Sequence, residues 1–141
     1  MDIFVDTNII LDFLLKRESN TALFISCEKR GFSLFTSILS YNTIYYVLFN
    51  NTLKGTNKKA RHTVIATQLK ELKKFMKPIP TSVDDFNVSL ESGFVDFKDA
   101  LQHYTAINNN MDCIITRNKI DFAKSALPVY TPLEFFNSFQ L

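Results

Sequence analysis

Four aspartates stand at positions in this chain where an acid could do chemistry. Asp6 directly follows the apolar run Ile3–Val5, a second apolar run ends shortly before Asp121, and Asp96 and Asp99 lie at the start of a segment with helical spacing. Short apolar runs of this kind are typical of the inner strands of a parallel sheet, and ligands bind at the carboxyl ends of such strands. Carboxylates gathered at that edge would form a site for a hard divalent cation.

Each of these acids also has a purely structural interpretation. Asp6 could cap the helix that follows it, and Asp99 could complement a helix dipole from the first turn. Asp121 could stand at a helix terminus. The succession Asp6-Thr7-Asn8 at the end of a strand favours a site for Asp6, and both interpretations stay open for the other two.

The overall composition indicates a globular protein. The chain has 141 residues, of which 46% are hydrophobic, and we expect a single domain spanning 1–141. No apolar run approaches the ~20 residues of a membrane span, and the N-terminus lacks the features of a signal peptide. We therefore predict a cytoplasmic protein that does not contact a membrane. Cys27 and Cys113 lie in apolar surroundings, which predicts two reduced structural thiols.

The net charge of +2 hides a marked asymmetry along the chain. The segment 29–77 contains ten Lys or Arg and one acid, Glu71, so thirteen of the fourteen acids lie elsewhere. A basic block beside an acidic site suits a metal-dependent enzyme that acts on a polyanion. The alternative is a basic helix face that is simply solvated.

The hydrophobic periodicity predicts alternating strands and helices that would position these residues. Strands are predicted at 2–6, 33–36, 112–116 and 127–130, with an extended piece at 79–81. Helices are predicted at 8–16, 21–30, 38–50, 58–76, 84–92, 96–108 and 118–124, with another starting at Thr131 and a loop at 54–57. Pro78 is expected to end the helix at 58–76. The alternation predicts an α/β fold, a three-layer α/β/α sandwich with a mainly parallel central sheet.

Three blocks of the sequence together resemble the PIN-domain ribonucleases, especially the VapC-like toxins and their bacterial relatives. The blocks are Phe4-Val5-Asp6-Thr7-Asn8, Asp96-Phe97-Lys98-Asp99-Ala100-Leu101-Gln102 and Ile115-Thr116-Arg117-Asn118-Lys119-Ile120-Asp121-Phe122. The resemblance implies an α/β/α fold, a carboxylate cluster that binds Mg²⁺ or Mn²⁺, and hydrolysis of RNA. It also implies an antitoxin protein as a partner and a homodimer.

The resemblance assigns roles to individual residues of this chain. Asp6, Asp99 and Asp121 correspond to metal-binding acids of the family, and Asp96 is an additional acid that would serve the metal or its water shell. The polar positions that orient the acids correspond to Asn8, Thr116 and Asn118. The candidate phosphate contacts are the basic residues that flank the site, namely Lys16, Arg17, Arg117 and Lys119.

One position departs from the family pattern. The glutamate that the family usually places in the helix after the second strand aligns with Thr43, or alternatively with Asn42, and no acid lies between Glu28 and Glu71. Cation affinity follows ligand charge and number, so we expect a weakened site. Either activity is reduced, or Asp96 compensates, with a water held by Thr43 or Asn42 in the vacated position.

Three hypotheses about function follow from these residues. The first is a metal-dependent endoribonuclease, and one version of this hypothesis is that the enzyme is the toxin of a toxin–antitoxin pair. The alternative is a PIN-like module that binds RNA or a protein partner with little or no catalysis. A third, a receiver-like phosphoryl-transfer domain with Asp6 as acceptor, lacks the paired acids or the later strand-end lysine that such domains need.

Overall fold

The computed structural model of the chain describes residues 1–17, 20–52 and 55–141. Its strands are β1 (Asp2–Val5), β2 (Ser33–Ser37), β3 (Met76–Ile79), β4 (Cys113–Ile115) and β5 (Val129–Tyr130). Its α-helices are α1 (Thr7–Leu14), α2 (Thr21–Lys29), α3 (Ile38–Asn51), α4 (Lys58–Leu72), α5 (Val83–Glu91), α6 (Phe97–Asn108) and α7 (Pro132–Ser138), with a 3₁₀ helix at Lys119–Phe122. The loop predicted at 54–57 begins at Lys54, which lies outside the described residues.

The described strands form one parallel sheet in the order β3-β2-β1-β4-β5. The chain runs outward from β1 through β2 to β3, and then crosses to the other side of β1 to lay down β4 and β5. The strand order therefore reverses between β1 and β4. At such a switch point the connections leave in opposite directions and open a crevice at the carboxyl ends of the two strands, which is where open α/β sheets bind ligands.

Helices cover both faces of the sheet. Along β1, Ile3 and Val5 point into one apolar cluster, which also contains residues of α1, α2, α3, α4 and α7. Phe4 points into the other cluster, which contains Ala106 of α6 and Phe122 of the 3₁₀ helix. A parallel sheet with two buried faces has strands that are apolar throughout, as β1 and β4 are. The predicted three-layer α/β/α sandwich is therefore confirmed.

The predicted helix at 58–76 is wrong at its C-terminal end. Helix α4 ends at Leu72, and Met76 instead begins strand β3, which contains Pro78. Met76 continues the apolar spacing of the helix, which is why the pattern alone favoured a longer helix. Among the described strands, β3 pairs only with β2, so it lies at the edge of the sheet, where a residue without an N–H group is tolerated.

Other local predictions are confirmed. Capping boxes join Ser82 to Asp85 at the start of α5 and Thr131 to Glu134 at the start of α7. Both cysteines are buried free thiols. Among the helices described, none is long and apolar enough to cross a membrane.

Candidate active site

The carboxylate of Asp6 lies at the switch point, directly after β1. Asp6 occupies the N-cap position of α1, but its side chain makes no capping hydrogen bond. Instead, the Thr116 hydroxyl at the end of β4 donates to Oδ2 of Asp6 at 2.8 Å. Asp6 is only 2% exposed, and its Oδ1 is buried without a hydrogen-bond partner among the described residues. A buried oxygen of this kind is costly unless something else satisfies it, which fits a cation ligand better than a helix cap.

Burial raises the pKa of Asp6 above its ordinary value. The hydrogen bond from Thr116, the positive charge of Lys98 and an interaction with the backbone N–H of Thr7 act in the opposite direction, and the negative charge of Asp121 adds to the rise. The charged form of Asp6 is thus poorly compensated by its protein surroundings. A bound cation would supply the missing compensation.

The second carboxylate of the site, Asp99, is in the first turn of α6. Burial, and then the negative charges of Asp6, Asp96 and Asp121, raise the pKa of Asp99 to about 6, while Lys98 opposes the rise. Because like charges must be close to shift a pKa in this way, the four aspartates lie within one electrostatic neighbourhood. They reach it from three separate segments of the chain: the end of β1, the start of α6 and the 3₁₀ helix after β4.

The remaining two acids are more exposed and are held by local hydrogen bonds. Asp96 is the N-cap of α6 and accepts a hydrogen bond from the backbone N–H of Asp99 at 3.2 Å. Asp121 lies in the 3₁₀ helix and accepts a hydrogen bond from Nδ2 of Asn118 at 2.8 Å. Asp96 therefore orders the backbone that carries Asp99, whatever else its carboxylate does.

The turn after β4 connects two of the acids. The Thr116 hydroxyl, which donates to Asp6, accepts a hydrogen bond from the backbone N–H of Asn118 at 3.2 Å. Asn118 in turn holds Asp121. A single short segment thus orients carboxylates on both sides of the switch point.

Asn8 lies two residues after Asp6, half-buried in the first turn of α1.

The α3 side of the site is neutral. The Thr43 hydroxyl donates to the backbone carbonyl of Leu39, one turn earlier in the same helix, at 3.1 Å. Asn42 is exposed. Helix α3 begins directly after β2, next to the carboxyl edge of the sheet.

A buried polar cluster beside Asp6 was not anticipated from the sequence. It consists of Thr7, Ser37, Ser40 and Gln102, whose side chains hydrogen-bond to one another. Two weak signals are present in the sequence: hydroxyl residues near the predicted start of α3, and Gln102 at the end of the block that begins at Asp96. Neither signal indicated that these residues meet.

Two of the candidate phosphate contacts are engaged in ion pairs. Nη1 of Arg117 contacts both carboxylate oxygens of the buried Asp12, at 2.7 and 3.0 Å, and Nζ of Lys119 contacts Glu134 at 3.0 Å. Lys16 and Arg17 are exposed just after α1. The ion pair of Arg117 also ties the turn after β4 to α1, a role that the sequence did not reveal.

The donor atoms suit a hard cation, but they do not form a closed coordination shell. Within residues 1–17, 20–52 and 55–141, no three His, Cys, Asp or Glu side chains are grouped closely enough to hold a metal ion. The unpartnered Oδ1 of Asp6 and the crowded charge around Asp99 are still the features that a cation would satisfy. The residues therefore fit an open site of the kind Mg²⁺ uses, with one or two carboxylates and the remaining positions left to water and phosphate.

A parallel α/β/α sandwich with aspartates at its switch point defines the class of protein, and a family comparison identifies that class. Residues 2–120 match the family model of the PIN domain. The chain therefore belongs to the PIN-domain family. No curated protein sequence matches the chain.

Solved structures agree with this assignment at the level of the fold. A chain of VapBC2 from Rickettsia felis, bound to a DNA fragment from its promoter, matches with a TM-score of 0.69 and 15% identity, covering 93% of this chain and 98% of that one. VapBC-1 from nontypeable Haemophilus influenzae matches with a TM-score of 0.69 and 18% identity, covering 94% and 99%. A toxin–antitoxin complex from Klebsiella pneumoniae matches with a TM-score of 0.59 and 22% identity, covering 92% and 97%. The TM-scores show a shared fold, and at identities this low the similarity shows the fold alone.

Proposed function

We propose that this protein is a metal-dependent endoribonuclease that hydrolyses RNA phosphodiester bonds and acts as the toxin of a toxin–antitoxin pair. The observation that carries the proposal is the buried Asp6 carboxylate at the switch point, with one oxygen unpartnered and other aspartates in its electrostatic neighbourhood. Membership of the PIN-domain family supports the reaction class.

The residues of the chain hold the site together in this proposal. Asp6, Asp99 and Asp121 would bind Mg²⁺ or Mn²⁺, directly or through the water shell of the ion, and the ion, when bound, would polarise the phosphoryl oxygen and lower the pKa of a water. Thr116 fixes the carboxylate of Asp6, and Asn118 fixes that of Asp121. No side chain has to act as the nucleophile.

Basic residues around the acids would bind the RNA backbone. Lys98 acts electrostatically on both Asp6 and Asp99, so its charge lies where a scissile phosphate would be drawn in. Lys16 and Arg17 are exposed and available for further contacts. Arg117 and Lys119 would have to give up ion pairs to contribute, so we assign them smaller roles.

The test is cleavage of a labelled single-stranded RNA by the purified protein. Cleavage is expected with Mg²⁺ or Mn²⁺, is expected to stop on addition of a chelator, and should return when excess metal is added back. RNA that remains intact at high enzyme and metal concentrations would contradict the proposed activity.

The neutral α3 favours a second candidate function. With Thr43 bonded to its own helix and no acid between Glu28 and Glu71, the cation has fewer charges available than usual for the family. The protein would then be a PIN-like module that binds RNA or a protein partner with little catalysis. Retention of RNA on the protein without cleavage, at all metal concentrations, would distinguish this function from the first.

We also propose an antitoxin protein and a second copy of the chain as partners. The first follows from the structural similarity to a chain of a toxin–antitoxin complex. The second is supported by an exposed apolar face on α5, formed by Val83, Phe86 and Leu90 at helical spacing, with Phe86 packed edge-on against Phe97 at 5.7 Å. Light scattering of the wild type and of Phe86→Lys should show a dimer and a monomer, respectively.

A further inference from the structure

The amide of Gln102 is the centre of the buried polar cluster beside Asp6. Nε2 of Gln102 donates to the Thr7 hydroxyl at 2.9 Å and to the Ser40 hydroxyl at 2.7 Å. Its Oε1 accepts from the Ser37 hydroxyl at 2.6 Å. The side chain is 4% exposed, and both of its N–H groups and its carbonyl are used.

Each partner of Gln102 belongs to a different part of the site. Thr7 directly follows Asp6. Ser37 ends β2, and Ser40 lies in the first turn of α3. Gln102 itself follows Asp99 by one helical turn on α6. One amide therefore ties the end of β1, the start of α3 and the helix that carries Asp99.

The carboxylates of Asp6 and Asp99 need such a connection because they repel each other. When both are charged, this repulsion would favour a movement of α6 away from β1. A fully satisfied buried hydrogen-bond network resists that movement, since breaking any member leaves polar groups unpaired. The hydroxyls of the cluster are also linked directly, Thr7 to Ser40 at 2.7 Å and Ser37 to Ser40 at 3.0 Å.

We propose that Gln102 is a positioning residue that holds the helix bearing Asp99 in register with Asp6, so that both carboxylates can bind one cation. The inference rests on the proposed function, because it concerns the same cation site. It also gives the junction of β2 and α3 a part in the site, because Ser37 at the end of β2 and Ser40 in the first turn of α3 supply the hydroxyls that hold Gln102.

The test compares two buried substitutions on the same helix. Gln102→Met keeps the length of the side chain and removes its hydrogen bonds. Thr105→Val is the matched control: Thr105 is 0% exposed, lies one turn further along α6, and bonds to the Thr81 hydroxyl at 2.9 Å, outside the cluster. Mn²⁺ affinity is measured by electron paramagnetic resonance, alongside the melting temperature without metal.

Both variants should lower the melting temperature, but only Gln102→Met should weaken Mn²⁺ binding, by about 10- to 100-fold, as for other residues that orient metal ligands. Equal Mn²⁺ affinity of the two variants would overturn the positioning role. If Gln102→Met does not fold, Ser40→Ala removes one partner of the amide and should weaken Mn²⁺ binding by a smaller factor, with unchanged affinity again contradicting the role. A wild-type protein that binds no Mn²⁺ would overturn the proposed function and, with it, the inference.

Discussion

The Thr116 hydroxyl donates to one oxygen of the buried Asp6 carboxylate, and the other oxygen has no hydrogen-bond partner among the residues that the structure describes. The two residues follow adjacent strands of the sheet, although they are separated by 110 positions in the sequence. The hydrogen bond fixes the orientation of the carboxylate, and the free Oδ1 is then the atom available to a cation. The side chain of Asp6 is therefore both fixed by the fold and available as a ligand.

Thr116→Val should weaken cation binding without unfolding the protein. The substitution keeps the shape but removes both the donor to Asp6 and the acceptor for the backbone N–H of Asn118, at a cost of about 2 kcal/mol in stability. Mn²⁺ affinity should fall by about tenfold or more, because the carboxylate loses its fixed orientation. Thr116→Ser, which retains the hydroxyl, is the control and should bind Mn²⁺ nearly as tightly as the wild type. Equal affinity of the Val and Ser variants would show that this hydrogen bond does not orient the ligand.

The metal-free protein should become less stable as the pH rises from about 4 to about 6. The pKa of Asp99 is raised from 3.8 to about 6 in the folded protein, so over this range the folded state binds more protons than the unfolded state. Asp6 shifts in the same direction. Thermal melts from pH 4 to pH 8 should show this slope reduced in Asp99→Asn, whereas identical slopes in both proteins would contradict it.

The raised pKa of Asp99 should also make cation binding depend on pH. Protons and the cation compete for Asp99, so Mn²⁺ affinity is expected to fall as the pH drops below about 6. Calorimetric titrations at pH 5 and pH 7.5 measure this directly. An affinity that does not change between the two values would mean that Asp99 is not a ligand.

Thr43→Glu should strengthen the site if Thr43 occupies the position of the usual glutamate. The new carboxylate adds a negative charge on the neutral α3 side, so Mn²⁺ should bind more tightly and any RNA cleavage should become faster. Asn42→Glu, at the adjacent exposed position, is the matched control and tests the alternative alignment. A gain at neither position would place Asn42 and Thr43 outside the site and favour the binding-module function.

Much of the fold could be predicted from the sequence because its signals are local. The apolar runs of β1 and β4, and the capping residues Ser82 and Thr131, specify their elements within a few residues of chain. The end of α4 cannot be predicted in this way, because Met76 fits the apolar spacing of a helix and a buried position in an edge strand equally well. Only the pairing of β3 with β2 decides between them.

The site was predictable only in part, for a related reason. The aspartates stand out because each follows a strand or begins a helix, which is visible locally. The pairs that orient the site are not local: Gln102 meets Thr7 across 95 positions, and Arg117 meets Asp12 across 105. Such pairs depend on which strands become neighbours, and one sequence does not contain that information.

The most direct test of the central claim is a Mn²⁺ titration of Asp6→Asn beside the wild type, with Asp84→Asn as the control. Asp84 is an exposed acid in the first turn of α5, so its substitution removes the same charge away from the switch point. The wild type and Asp84→Asn should bind Mn²⁺ with similar affinity and cleave RNA, while Asp6→Asn should lose both properties and melt at a higher temperature without metal. Full Mn²⁺ binding by Asp6→Asn would contradict the assignment of Asp6 as the central ligand.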